Sequence, residues 1–209
     1  MPDRIGQNSL NDVARCPHCS VAAPMLVSVW QSQKELARQD GHPQSRWAAY
    51  ACTRCGHLVT AKGQPGDHVA NPLIVEIIPA PRTAHEDIPE PARTFLQQAF
   101  ETLHAPDAAA VMAGSAIDAM LKDKGYREGS LYARIDLALA DNVLTESMSQ
   151  WAHSVRLGSN RPRHADEDRP HVSRDEAAQS VEFAEALGQF LYVLSARIQR
   201  GIAAAQAAN

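Results

Sequence analysis

Apolar residues recur at intervals of three and four through the second half of the chain, from about residue 90 onward. This spacing places them on one face of a helix, so it predicts helices. Proline, glycine and hydroxyl residues divide the pattern, because they favour helix ends and turns. The fourth helix is predicted to stop near Gly158 and the last to end at about Arg200. The five predicted helices begin near residues 90, 107, 130, 145 and 173, and their short connections predict an antiparallel bundle.

The first part of the chain has shorter apolar runs of β-branched and aromatic residues. Three of these runs are predicted as strands: Met25–Trp30, Trp47–Ala51 and Leu73–Ile78. The polar residues 1–12 before them are expected to be loose. Prolines at positions 79, 81, 89 and 91 bracket a segment that predicts a semi-rigid, extended linker.

The four cysteines form two Cys-x-x-Cys pairs, which is the ligand pattern of a zinc site. They are Cys16, Cys19, Cys52 and Cys55. Two tight turns that each supply two thiolates can surround Zn²⁺ tetrahedrally. The alternatives are a redox dithiol, which needs only one pair, and unrelated free thiols. The 32 intervening residues exceed the usual spacer and leave room for an insertion around Gln31–Ser45. His18 and His57 flank the pairs but are not needed as ligands.

These patterns predict a mainly α protein with a small β zinc ribbon. The predicted domains are a ribbon over residues 1–78, a linker over 79–91 and a helical bundle over 92–209. A hydrophobic content of 44% and a charged content of 21% are typical of a folded chain. The net charge of −4, without a long basic stripe, excludes a protein that holds duplex DNA by charge alone. No apolar run approaches the ~18 residues of a membrane span, and paired cysteines favour a cytoplasmic protein.

The segment 151–175 concentrates residues that carry chemistry. It holds three arginines, a histidine and an acidic cluster: Arg156, Arg161, Arg163, His164, Asp166, Glu167 and Asp168. Gly158, Asn160, Pro162 and Pro170 disfavour a continuous helix, so this segment is predicted to be a structured connection between helices. Charged and conformationally special residues at such a corner favour binding or catalysis over plain linkage.

The order of these parts resembles a bacterial domain-of-unknown-function family whose members occur alone or attached to restriction enzymes. The resemblance rests on the two Cys-x-x-Cys pairs, the proline-rich linker and Arg156-Leu-Gly-Ser-Asn160 ahead of His164. The family is thought to be related to the HEPN superfamily of helical bundles. This resemblance implies a bundle that pairs as a homodimer. It also implies that Arg156, Asn160 and His164 match the arginine, polar residue and histidine of metal-independent HEPN ribonucleases, although Arg156 and His164 are unusually far apart.

Two functions remain open. In an endoribonuclease, His164 from two protomers would supply acid and base, while Arg156 would stabilise the phosphorane. Arg161 and Arg163 would hold flanking phosphates. In a non-catalytic module, Arg156 would cap a helix end, and the acidic cluster would pair with Arg161, Arg163 and Arg169. We favour the second function: a dimeric module that binds RNA or a protein partner. The resemblance implies a role in phage defence. The alanine-rich helix around 107–120, or the corner itself, is the expected dimer interface.

Overall fold

The computed structural model describes residues 3–35, 38–64, 72–164 and 167–207. The chain divides into two compact units, residues 1–82 and 83–209, and each has its own hydrophobic core. The first unit is a five-stranded antiparallel sheet, and the second is a bundle of five helices. This architecture confirms the predicted fold class, a small β unit with four cysteines followed by a helical bundle.

The strands of the first unit lie in the sheet in chain order, each antiparallel to the one before. Their bounds are Ser9–Leu10 for β1, Leu26–Gln31 for β2, Arg46–Cys52 for β3, Leu58–Gln64 for β4 and Leu73–Ile78 for β5. β2, β3 and β5 agree with the predicted strands. β4 has no predicted counterpart, because two of its inward positions hold the small residues Ala61 and Gly63 and the alternation of polarity is weak.

The N-terminal residues take part in the core of the first unit, which corrects the expectation that they are loose. Ile5 and Leu10 are fully buried there. The carboxylate of Asp3 accepts hydrogen bonds from the backbone N–H groups of Asn11 and Asp12, both at 2.7 Å. Isolated apolar residues in a polar stretch show no periodicity, so the sequence pattern does not reveal this packing.

The second unit contains the helices that position the candidate site. Their bounds are Ala92–Glu101 for α1, Pro106–Asp123 for α2, Leu131–Ala140 for α3, Glu146–His164 for α4, Arg174–Gly188 for α5 and Leu194–Ala207 for α6. A π-helical turn, Gln189–Val193, joins α5 to α6, so these three pieces form one continuous helix. In the described part of the chain, no helix is long and apolar enough to cross a membrane.

α2 lies at the centre of the bundle and packs against α1, α3, α4 and α5. Its small residues are buried within its own chain, among them Ala109, Ala113 and Ala116. At Gly114 the backbone of α4 comes so close that an added Cβ would lie 2.6 Å from Ser159 Oγ. The small residues of α2 therefore admit a close helix of the same chain.

α4 extends beyond its predicted end and corrects the prediction of a non-helical corner. It continues through Gly158, Asn160 and Pro162 as far as His164. Pro162 lies in the last turn, where its ring costs a single hydrogen bond to the carbonyl of residue 158. Burial of Val155 and Ser159 on neighbouring helices offsets the low helix propensity of this turn.

Residues 83–91 are not a simple spacer, because they pack on the helices of the second unit. Ile88 is 1% exposed and belongs to the helical core, and Ala84 packs against the same core. Gly188 provides the space for this contact, since an added Cβ would lie 2.6 Å from Ile88 Cδ1. The boundary between the two units, at Arg82 and Thr83, falls inside the proline-rich segment.

Candidate functional site

The four cysteines of the first unit converge on one point. Their Sγ atoms all lie within 4.8 Å of one another, and none forms a disulfide. Cys16 and Cys19 flank a tight turn closed by the Ser20 N–H donating to the Cys16 carbonyl at 2.9 Å. In the second turn, the Gly56 N–H donates to the Cys52 carbonyl at 2.8 Å, with a φ of 75° that favours glycine. The predicted clustering of the two pairs is confirmed.

The geometry of the sulfur cluster fits a tetrahedral metal ion. Zn–S bonds of about 2.3 Å in a tetrahedron place sulfurs about 3.8 Å apart, and the Sγ atoms of Cys16 and Cys55 are 3.9 Å apart. Burial raises the pKa of the Cys19 thiol to about 12. A bound dication would favour the thiolate instead.

The two flanking histidines are held beside the cluster by their own contacts. His18 Nε2 donates to the Leu58 carbonyl at 2.9 Å, and His57 Nδ1 lies 3.3 Å from the Cys55 carbonyl. Their rings stack with centroids 4.8 Å apart. These contacts leave four thiols as the ligand set and place the histidines against its surface.

In the second unit, α4 presents two different faces to two different cavities. Arg156, Asn160 and Arg163 line a groove of about 840 Å³ formed by α2, α3, α4 and the start of α1. His164 and Arg161 line a neighbouring cavity of about 540 Å³, which Asn160 also borders. Eight residues of α-helix turn a side chain by about 80° about the axis and move it about 12 Å along it. Within one chain, Arg156 and His164 therefore do not share a cavity.

Arg156 is held by an aromatic contact and not by an ion pair. Its guanidinium carbon lies 5.3 Å from the centroid of the Tyr132 ring, within the range of a cation–π contact. Its Nε is buried without a hydrogen-bond partner. Because α4 continues for two more turns, Arg156 does not cap a helix end as the structural hypothesis expects. No carboxylate among the described residues pairs with it.

The ring of Tyr132, which is about half exposed, also contacts a second ring. It lies 4.8 Å from the ring of His153, whose Nε2 is 2.9 Å from Asp136 Oδ1. Tyr132 thus forms a platform between α3 and α4 on which the Arg156 side chain rests. The sequence analysis does not single out these three residues.

The remaining arginines of the corner have partners that the acidic-cluster hypothesis does not anticipate. Arg161 and Arg169 donate to Glu176 Oε1 at 2.7 and 3.0 Å. Arg163 donates to the hydroxyl of Ser115 at 2.8 Å. Asp166, the first residue of the acidic cluster, lies outside the described residues.

Glu176 connects the corner to the next helix. Its backbone N–H donates to Ser173 Oγ and its carboxylate accepts from the Ser173 N–H, and these two hydrogen bonds form a capping box at the start of α5. The Ser173 N–H, followed by Arg161, lowers the pKa of Glu176 to about 2. The carboxylate is therefore charged at neutral pH and anchors both arginines.

A cluster of charges around the buried Arg134 forms another wall of the groove, and sequence reasoning missed it. Arg134, only 9% exposed, donates to Asp118 Oδ1 at 2.6 Å and to the Arg127 carbonyl at 3.0 Å. Lys122 also contacts Asp118 at 2.6 Å. Arg134 directly precedes the buried Ile135 on α3, and a charge beside the apolar face is the signal that would have revealed it.

The sheet with its four-cysteine cluster and the helical bundle with its arginine-lined groove define the class: a helical-bundle protein with a small cysteine-cluster unit. Residues 95–203 match the family described as domain of unknown function DUF4145. This match covers slightly more than half of the chain, so the protein belongs to that family. The resemblance to a family of unknown function is confirmed. No curated protein and no solved structure matches the chain.

Proposed function

We propose that this protein is a non-catalytic RNA-binding module whose groove between α2, α3 and α4 takes phosphate groups of the strand. The observation that carries this proposal is the state of Arg156. Its guanidinium rests on Tyr132 in the wall of the groove, and no carboxylate of the described residues neutralises it. An arginine fixed in this way is prepared for bidentate hydrogen bonds to phosphate oxygens.

The charges around the groove support this proposal. Five cationic and three acidic side chains line it: Lys122, Arg127, Arg134, Arg156, Arg163, Glu90, Asp118 and Asp123. Asp118 is neutralised by Arg134 and Lys122, and Glu90 pairs with Arg93 outside the groove. Arg127, Arg156 and Arg163 have no carboxylate partner among the described residues. The groove therefore keeps an excess of positive charge inside a protein of net charge −4.

The size of the groove favours a single strand. Its volume of about 840 Å³ lies in the range of sites for small ligands and short segments. A duplex presents its phosphates on a wide, convex surface, whereas a single strand can place one nucleotide in a cavity. Phe95 and Leu131 supply apolar surface beside the cations.

The absence of an acid–base group supports binding without cleavage. RNA cleavage without metal needs a group that titrates near neutral pH, usually histidine. No histidine lines the groove in the described part of the chain. His164 borders the other cavity and is exposed.

A metal-independent endoribonuclease is the second candidate, and one observation favours it. Neither Arg156 nor His164 is held in an ion pair by any described residue. In a homodimer, His164 of one protomer could then approach the groove of the other. Such an enzyme would cleave RNA in EDTA and would lose this activity in His164→Ala.

Binding is tested by fluorescence anisotropy with a labelled single-stranded RNA. We expect Arg156→Ala to weaken binding about tenfold or more, since a charge-assisted contact contributes about 1.5–3 kcal/mol. The matched control is Arg197→Ala, which removes the same charge from an exposed position of α6 outside both cavities. Equal affinity of the two variants would contradict the proposal. Intact RNA after incubation with the wild type in EDTA would exclude the enzyme.

We also infer that the cysteine cluster holds zinc. Four thiols, a tetrahedral sulfur spacing and two backbone-closed turns support this assignment, since Zn²⁺ combines soft ligands with this geometry. Its role is structural, because four thiolates leave no coordination position open for a substrate.

A further inference from the structure

Two arginines of α4 line the groove from positions seven residues apart. They are Arg156 and Arg163, and Asn160 lies between them on the same face of the helix. Seven residues of α-helix correspond to about 10 Å along the axis. A strand with stacked bases advances about 3.4 Å per nucleotide, and an unstacked strand advances further. A segment of about two or three nucleotides therefore covers the distance from one arginine to the other.

The guanidinium groups of these two arginines are anchored on different helices. The Arg156 guanidinium carbon lies 5.3 Å from the centroid of the Tyr132 ring, which belongs to α3. Arg163 Nη2 donates to Ser115 Oγ of α2 at 2.8 Å, and this hydroxyl donates in turn to the Val111 carbonyl at 2.9 Å. Neither arginine forms an ion pair with a described residue. The separate anchors keep the two free charges apart and favour one phosphate at each.

Positive charge in the groove extends beyond these two arginines. Lys122, Arg127 and Arg134 line its other walls. Lys122 and Arg134 share the carboxylate of Asp118, whereas Arg127 forms no ion pair with a described residue. The cations of the groove outnumber its carboxylates, so a strand that continues past the α4 arginines still meets a positive potential. This distribution of charge admits an interior segment of a strand.

The space between the two arginines offers neutral contacts. The Asn160 side-chain amide forms no hydrogen bond with a described residue, and it presents both donors and an acceptor. The half-exposed ring of Tyr132 and the side chain of Leu131 line the same groove. An amide can bond to a base edge or a ribose hydroxyl, and an aromatic ring can stack on a base. This part of the groove therefore suits the nucleoside that joins two phosphates.

We infer that the groove binds an interior segment of an RNA strand along α4, with separate phosphates at Arg156 and Arg163 and a nucleoside between them at Asn160. This inference rests on the proposed RNA-binding function and names the unit of the strand that the groove takes. A ligand with a single phosphate fills only part of this site. A mononucleotide should therefore bind more weakly than a hydroxyl-ended strand of three or four nucleotides.

The number of phosphates is tested by the salt dependence of binding, measured with the full chain and a labelled single-stranded RNA of about ten nucleotides. A plot of the logarithm of affinity against that of salt concentration falls by about 0.7 per neutralised phosphate. We expect Arg156→Ala and Arg163→Ala each to weaken binding about tenfold and to reduce this slope by about 0.7, and the double variant to reduce it by about 1.4. The control Arg197→Ala should change neither quantity.

Two further variants complete the design. Asn160→Ala should weaken binding without changing the slope, because it removes a neutral contact. Melting temperatures show whether each variant is folded. If Arg163→Ala is unstable, Arg163→Gln replaces it, since glutamine removes the charge and keeps a donor for Ser115.

Three outcomes would overturn the inference and leave the proposed function standing. If the double variant has the slope of either single variant, both arginines contact the same phosphate. If Arg163→Ala binds like Arg197→Ala, only Arg156 holds a phosphate. If Asn160→Ala binds like the wild type, the nucleoside does not lie between the arginines. If Arg156→Ala itself binds like Arg197→Ala, the proposed function fails.

Discussion

Gly114 determines how closely two helices of the bundle approach each other. A Cβ at this position would lie 2.6 Å from Ser159 Oγ and 2.9 Å from Ser159 Cβ. Ser159 is itself buried, and its hydroxyl donates to the Arg156 carbonyl at 3.0 Å. The absence of a side chain at one residue of α2 therefore positions the turn of α4 that presents Arg156 to the groove.

We expect Gly114→Ala to destabilise the second unit by about 1 kcal/mol or more, because overpacking outweighs the gain in helix propensity. Gly201→Ala is the matched control: Gly201 lies in α6 with no atom within 4 Å of an added Cβ, so its loss should be neutral or stabilise by up to about 1 kcal/mol. Thermal and urea unfolding measure both variants. If Gly114→Ala is as stable as Gly201→Ala, the conclusion that α2 and α4 approach each other closely at Gly114 is wrong.

Arg134 and Arg156 line the same groove, but they differ in burial and in ion pairing. Arg134 is paired with Asp118 and buried, so its charge also supports the fold. Arg156 rests on Tyr132 and forms no ion pair with a described residue, so its charge is available to a ligand. Substitution of Arg134 would affect stability and binding together, which makes Arg156 and Arg163 the better positions for testing recognition.

The last helix departs from its sequence pattern, because a local irregularity changes the direction in which the following side chains point about the helix axis. Leu187, Leu191, Leu194 and Ile198 follow one another at helical spacing in the last helix. Leu187 and Leu191 are buried, but Leu194 and Ile198 are 49% and 53% exposed. The π-helical turn Gln189–Val193 adds a residue to one turn, which rotates the following stripe away from the bundle.

The capping box of α5 gives an element-scale prediction about pH. Because the pKa of Glu176 is lowered to about 2 in the folded protein, its stabilising effect is fully present above the ordinary glutamate pKa near 4.5 and is lost as pH falls toward 2. We expect Glu176→Gln to lower stability at neutral pH by about 1 kcal/mol, typical of a lost cap. The difference from the wild type should shrink between about pH 4.5 and 2.

Glu182→Gln is the control for this prediction. It removes the same charge from an exposed position of α5 that forms no ion pair with a described residue. Circular dichroism melts of both variants across this pH range provide the measurement. A stability difference for Glu176→Gln that is the same at pH 3 and pH 7 would show that its carboxylate is not held by the cap and the arginines.

At the scale of the molecule, the two units have separate hydrophobic cores that share no residue. A change that destabilises one core should therefore unfold that unit and leave the other folded. Ile5, Tyr50 and Val59 belong to the core of the first unit, whereas Ile88, Phe100 and Phe183 belong to the second. The cysteine cluster lies against the first core only, since Cys16 and Cys52 are members of it. Loss of a metal ligand should therefore affect one unit.

We expect the purified chain to contain one zinc ion and Cys52→Ser to lose it. Metal binding contributes directly to the stability of small metal units, so the sheet should unfold in this variant while the helices keep their melting transition. Elemental analysis measures the zinc, and the helical circular dichroism signal follows the bundle. A wild type with well under one zinc per chain, or a variant that retains it, would rule out this assignment.

Much of the architecture follows from the sequence, because local patterns determine local structure. The two Cys-x-x-Cys pairs predicted the cysteine cluster, and helical periodicity with Ser130 and Ser173 predicted the helices and their starts. The sequence also identified Arg156, Asn160 and Arg163, which the structure places along one groove. Whether the protein pairs as a homodimer remains a prediction.

Only the tertiary structure decided the extent of α4 and the composition of the site. The local breakers Gly158 and Pro162 predicted a helix end, but burial of the same turn against α2 and α5 outweighs their propensity. The continuation of this helix turned Arg156 and His164 toward different cavities. Arg134 and Tyr132 joined the site because α3 folds against α2 and α4, and such contacts between distant segments leave no periodic signal in the chain.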